Sequence, residues 1–255
     1  MSGARARHWI QAARPATLSA AVVPVMVGTA LAASEGTFRP LAFAAALAGA
    51  VGIQVGTNFS NDYFDWVKGA DGASRLGPIR VTQAGLIPPA QVLTGAWIAF
   101  GFAALCGIVL VAMAGWAVAL LGVASIAAGV LYTGGPRPYG YMALGDLLCF
   151  LFFGVAAVCG SYFVQTGEVS LPALAASIPV GLLVTAILVV NNIRDIDSDR
   201  AAGKRTLAVV IGRRASRLQY GLFVLGAIFA PPLFALGGVL PRYALLSLLA
   251  IPLAP

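Results

Sequence analysis

Long apolar runs separated by short polar breaks dominate the chain. The runs fall near residues 17–33, 41–61, 90–113, 115–132, 144–164, 172–192, 218–237 and 243–255. An α-helix needs about 20 apolar residues to cross a bilayer core. The pattern therefore predicts an all-α, polytopic transmembrane helix bundle of about eight spans, forming one domain over residues 1–255. The turn between the third and fourth runs, around Ala114 and Gly115, is very tight.

Composition narrows the picture. Of 255 residues, 60% are hydrophobic and only 10% charged. A soluble domain carries about a quarter charged residues and needs a hydrated skin. A soluble enzyme, a disordered chain and a secreted disulfide scaffold are therefore excluded. Cys106, Cys149 and Cys159 lie inside apolar runs and read as small packing residues, without zinc spacing. The N-terminus is basic, but Pro15 and a long apolar run without a clean cleavage site argue against a cleavable signal.

The net charge of +7 resolves into a topology. With eight spans, one membrane face receives Arg5, Arg7, Arg14, Lys68, Arg75, Arg80, Arg137, Arg194, Arg200, Lys204, Arg205, Arg213, Arg214 and Arg217. Only Arg39 and Arg242 fall on the other. Positive-inside bias accounts for this better than a nucleic-acid partner, which is not expected. It predicts an integral plasma or inner membrane protein with a cytoplasmic N-terminus.

Carboxylates at membrane depth are costly and need a reason. The nine acids are Glu35, Asp62, Asp65, Asp71, Asp146, Glu168, Asp195, Asp197 and Asp199. All but Glu35 and Glu168 fall on the cytoplasmic side, and six form two clusters. In the first, Asn58, Asn61, Asp62 and Asp65 share one helix face by i, i+3, i+4 spacing. In the second, Asn191, Asp195 and Asp199 repeat at i, i+4. Two facing oxygen-rich stripes suit Mg²⁺, which takes one or two carboxylates, keeps waters and binds substrate phosphate. Lys68, Arg75, Arg80, Lys204 and Arg205 stand beside them and can neutralise a diphosphate. Metal, diphosphate and a long apolar interior together point to a lipid diphosphate.

Two blander readings compete. Loop carboxylates can simply pair with neighbouring Lys and Arg, although the repeated Asn/Asp pattern weighs against that. A secondary transporter would place its acids near mid-membrane on broken helices, and here they sit at helix ends. The single histidine, His8, precedes the spans, so histidine-based catalysis or ligation is not expected.

Several motifs sharpen the lipid-diphosphate reading. They are Arg14-Pro15-Ala16-Thr17-Leu18, Asn61-Asp62 with Asp65 and Asp71, Gly77-Pro78-Ile79-Arg80, Pro136-Arg137 with Tyr139-Gly140-Tyr141, Leu144-Gly145-Asp146, and Asn191-Asn192 with Arg194-Asp195. In order and spacing, from about Ala13 to Gly212, they resemble the UbiA superfamily of intramembrane aromatic prenyltransferases. The branch they resemble most uses 1,4-dihydroxy-2-naphthoate in menaquinone biosynthesis.

The resemblance implies nine helices around a central cavity, where this sequence supports eight, with helical caps on the cytoplasmic face. It implies two Mg²⁺ ions held by Asn61, Asp62, Asp65, Asn191, Asp195 and Asp199. Its implied reaction joins a polyprenyl diphosphate to dihydroxynaphthoate, with decarboxylation, giving demethylmenaquinone. Hydroxybenzoate, homogentisate, haem and chlorophyllide acceptors stay open. Asp65 and Asp195 are the central acids. Asp71 is a candidate for orienting or deprotonating the ring hydroxyl, displaced by two residues from the family spacing, where Gly69 stands. Lys68, Arg80, Arg137, Tyr139 and Lys204 are candidate substrate contacts. Arg137 and the two lysines read equally well as topology charges. The aromatic run Phe150–Phe153 reads as lipid-facing or packing surface, with a prenyl-channel wall as the alternative.

Overall fold

The computed structural model describes residues 3–70, 77 and 79–253. Asp71 lies outside the described residues, so its expected role is not placed. Among the described residues the only strand-like pairing is an isolated bridge between Met142 and Arg205. All other regular structure is helical.

A short basic helix, α1 (Gly3–Ala13), comes first. A 3₁₀ turn at Pro15–Thr17 then leads into α2 (Ser19–Ser34), and the two meet at a bend of 49°. Helix α3 (Pro40–Val67) runs 28 residues without a break. It is followed by α4 (Pro89–Ala114), α5 (Ala117–Leu131) and α6 (Gly145–Thr166). Next come α7 (Leu171–Arg194), the short α8 (Ile196–Ala201) and α9 (Leu207–Leu236). A 3₁₀ segment, Arg242–Leu253, closes the described chain.

Each of the eight apolar runs has become a helix, but not eight equal spans. Helices α3, α4, α6, α7 and α9 are long and apolar enough to cross a membrane, and the bent α1–α2 pair qualifies as a sixth. The fourth run yields only 15 residues of α5, about 22 Å at 1.5 Å per residue. The eighth yields 3₁₀ helix. The seventh begins earlier than its hydropathy suggests, because Thr206 caps α9 by accepting a hydrogen bond from the Val209 amide. Gly212, at φ 81°, then breaks α9 between the apolar residues 207–211 and the longer apolar stretch that follows residue 217.

Small residues let the helices approach closely. In α6 a π-helical stretch at Phe150–Ala156 brings Gly154 against Gly181 of α7, and a Cβ on Gly154 would lie 2.6 Å from the Gly181 Cα. Apolar clusters hold the two ends of the bundle. Ala12, Phe59, Val81, Ile87, Val92 and Phe100 pack at the end carrying the acids. Ala42, Ala45, Leu110, Val118 and Val164 pack at the opposite end.

Candidate active site

A cavity of about 430 Å³ runs between the helices. Its lining follows α3 from Ala46 to Asp65, about 28 Å of helix. One stretch of wall is apolar and includes Val118, Leu121, Phe152 and Phe153. The other carries Arg14, Asn61, Asp65, Arg80, Asn191, Asp195, Asp199 and Lys204. The two acid stripes, more than a hundred residues apart in sequence, therefore face one space.

Local geometry explains how each stripe is presented. Helix α3 ends when Gly69 turns left-handed at φ 62°. The Gly69 amide then bonds to the Trp66 carbonyl, and the Ala70 amide to the Asp65 carbonyl. Helix α8 ends in the same Schellman geometry. Gly203 sits at φ 72°, its amide on the Arg200 carbonyl and the Lys204 amide on the Asp199 carbonyl. Asp65 and Asp199 thus hold equivalent places at two helix ends, and the turn after α8 delivers Lys204 into the cavity. The amides of Asp195 and Asp199 bond to the carbonyls of Asn191 and Asp195. The i, i+4 stripe therefore continues across the α7–α8 junction.

Asp65 is the electrostatic centre. Its side chain is 2% exposed. Arg80 donates to its Oδ2 at 2.9 Å, the Tyr141 hydroxyl to Oδ1 at 2.7 Å, and Lys204 Nζ to Oδ1 at 3.2 Å. A buried carboxylate is tolerated only when so compensated. The Lys204 ammonium also lies 4.7 Å from the Tyr141 ring centroid, a cation–π contact. On the other stripe, Arg194 donates through Nε and Nη2 to the two oxygens of Asp195, at 2.8 and 2.7 Å. Asn61 accepts from the Thr133 hydroxyl at 2.9 Å.

Asp62 has a different position. Its carboxylate accepts from the backbone amides of Val81 and Thr82 at 3.2 and 3.0 Å, and it is not part of the cavity wall. These bonds pin the segment that carries Arg80 onto α3. Lys68 also lies outside the lining. It donates to the Thr133 carbonyl and faces the Phe64 and Tyr141 rings. Loss of hydration lowers its pKa, offset in part by Asp65. Arg137 is exposed on its loop and is not brought to the cavity. Tyr139 does line it, with its hydroxyl donated to the Ala128 carbonyl at 2.9 Å. Burial raises the pKa of Tyr139, in the loop after α5.

Arg14, Thr133, Tyr141 and Arg194 also line the cavity and are not among the expected site residues. Tyr141 stood in a recognised motif, and its two-residue offset from Tyr139 is the available signal. Arg14 and Arg194 were absorbed into the topology count.

The sequence as a whole and the helical architecture match known proteins. The UbiA prenyltransferase family model covers residues 21–254. This chain belongs to that family. It is 39% identical to the 1,4-dihydroxy-2-naphthoate octaprenyltransferase of Escherichia coli, spanning 98% of this chain and 83% of that one. Identity to the Mycobacterium tuberculosis enzyme of the same name is 40%, over 97% of this chain and 83% of that one. A solved structure concerned with digeranylgeranylglyceryl phosphate synthase aligns with TM-score 0.64 and 16% identity. It covers 92% of this chain and 79% of that chain, and supports the UbiA-type helical fold.

Among the described residues, no group of three or more His, Cys, Asp or Glu could hold a metal ion alone. The donor set still suits Mg²⁺. Asn61, Asp65, Asn191, Asp195 and Asp199 offer only oxygen, and Mg²⁺ completes its shell from water and substrate phosphate.

Proposed function

We propose that this UbiA-family enzyme transfers a polyprenyl group from polyprenyl diphosphate to 1,4-dihydroxy-2-naphthoate. The carboxylate is lost, and the products are a demethylmenaquinol (the hydroquinone form), carbon dioxide and diphosphate. The near full-length identity to bacterial dihydroxynaphthoate octaprenyltransferases carries this reading. The cavity that joins both acid stripes to an apolar wall supports it.

The chain's residues have separable tasks. The apolar wall accepts the prenyl chain and excludes water. Arg80, Lys204 and Arg194 supply positive charge where the leaving diphosphate becomes more negative. Asp65, Asp195 and Asp199, with Asn61 and Asn191, would hold Mg²⁺, which when bound adds charge stabilisation on the diphosphate. Diphosphate leaves with the pair from the broken C–O bond. The ring supplies the pair for the new C–C bond, and the departing carboxylate returns its own pair to the ring.

The positive face, and with it the site, lies in the cytoplasm of a plasma or inner membrane. Prenyl transfer in lipid nanodiscs, with naphthoate and hydroxybenzoate acceptors competing and Mg²⁺ varied, tests the assignment. The naphthoate product should dominate and require Mg²⁺. Preference for the benzoate would refute the acceptor, and full turnover in chelator would refute the metal.

A further inference from the structure

We propose that Asn192 accepts a hydrogen bond from the acceptor's 4-hydroxyl, the one remote from its carboxylate, and that Asp146 is the positioning residue behind it. The inference rests on the acceptor reading given above.

Asn192 is 9% exposed and lines the cavity, one turn of α7 before Asp195. Its Nδ2 donates to Asp146 Oδ1 at 3.4 Å. An ionised carboxylate only accepts, so the amide turns its nitrogen that way. The amide oxygen is left over. Among the described residues no group donates to Asn192 Oδ1, and the atom is not sealed in protein. It opens on the cavity, where a ligand hydroxyl can supply the missing donor.

Asp146 stands behind this wall. It is buried and is not part of the cavity lining. It lies in the first turn of α6, where the positive end of the helix favours a carboxylate. Gln219 of α9 donates to its other oxygen at 2.8 Å. Asp65 and Asp195 are matched by cations, whereas among the described residues Asp146 is held by two amides. Its oxygens are therefore fixed from α7 and α9 together, and they hold the Asn192 amide in one of its two orientations. The diphosphate chemistry uses neither Asp146 nor Gln219.

The surroundings indicate what the oxygen receives. A Cβ on Gly145, next to Asp146, would lie 3.5 Å from Tyr132 Cε2 and 3.8 Å from Leu188 Cδ2. The Tyr132 ring packs edge-to-face on Tyr139, with centroids 5.4 Å apart. Tyr132, Tyr139 and Leu188 line the cavity with Asn192. Flat apolar surface beside a lone amide oxygen suits a hydroxylated ring. It does not suit diphosphate, whose oxygens need donors. Of the acceptor's two hydroxyls, the 1-hydroxyl adjoins the carboxylate and can donate to it internally. The 4-hydroxyl has no such partner and needs one from the protein when it leaves water.

The test is equilibrium binding of 4-hydroxy-2-naphthoate and of 2-naphthoate, which lacks the hydroxyl, to the full chain in nanodiscs. The wild type should prefer the hydroxylated ligand at least tenfold. N192A and D146A should each cut that preference below threefold, with 2-naphthoate affinity changed less than twofold. D146N can still offer an oxygen to Asn192 and should keep the preference within threefold of wild type. If D146A fails to insert, D146S, too short to reach Asn192, takes its place. Full preference in N192A, or none in the wild type, overturns the contact. Full preference in D146A or D146S overturns the positioning role. Mg²⁺-dependent binding of a polyprenyl thiodiphosphate is measured on the same variants, and its loss in N192A would put the oxygen on the metal and overturn the contact. Prenyl transfer to the naphthoate by the wild type is assayed alongside. Its absence would sink the acceptor reading, whereas a preference that ignores Asn192 would sink only this contact.

Discussion

The two acid-bearing helix ends share a backbone design and differ in how their charges are satisfied. Both stop in the same glycine turn, with Asp65 and Asp199 at equivalent places. Asp65, however, is sealed in and compensated from afar, by Arg80 fifteen residues on and Lys204 from beyond α8. Asp195 pairs with its own neighbour Arg194, and that pair is 12% and 33% exposed. The α3 end is therefore an organising centre, assembled only when the bundle closes. The α7–α8 end is a local arrangement that can exchange partners without disturbing the fold.

Mutation of the two acids should separate these roles. Asp65→Ala should abolish turnover and also lower stability by about 3–5 kcal/mol, since two buried cations lose their counter-charge. Thermal unfolding in detergent, measured with the assay, reads both effects. Asp195→Ala should cost at least a hundredfold in turnover while stability changes by only about 0–1 kcal/mol, as for a partly exposed pair. Equal destabilisation by the two substitutions would break the distinction. Asp62→Ala should cost about 1–3 kcal/mol, because two backbone amides lose their acceptor. It should also raise the KM for the prenyl donor as Arg80 loses its anchor, and an unchanged KM would show that Arg80 is placed independently. The smallest effect belongs to Arg137→Ala, with a donor KM within about threefold of wild type, because the side chain lies outside the cavity.

Much of this organisation was readable from the residues, and the failures have physical causes. Apolar run length located the long helices, because bilayer thickness constrains them, and missed the short polar α1 and α8. It did not show that α5 stops after 15 residues or that the last run winds as 3₁₀ helix, since hydropathy does not encode helix ends. The spacing of Asn61, Asp62 and Asp65 put three polar residues on one face. A helix face is broad, however, and spacing alone cannot distinguish a residue facing a cavity from one facing a loop. Asp62 faces the loop because Val81 and Ile87, which sequence gave no reason to bury, fold back onto Phe59. Charge counting gathered the basic residues onto one face and for the same reason concealed Arg14 and Arg194, whose positions satisfy topology as well as chemistry. The contacts of Lys204 and Tyr141 with Asp65 span 139 and 76 residues, beyond the reach of any local pattern.

The central claim is that both stripes act on one diphosphate. Equilibrium binding of a non-reactive polyprenyl thiodiphosphate, with and without Mg²⁺, tests it most directly on the wild type, Asp65→Asn and Asp195→Asn. The account predicts tight, Mg²⁺-dependent binding by the wild type that weakens at least tenfold in either variant. Binding unchanged in Asp195→Asn, or indifferent to Mg²⁺, would contradict it.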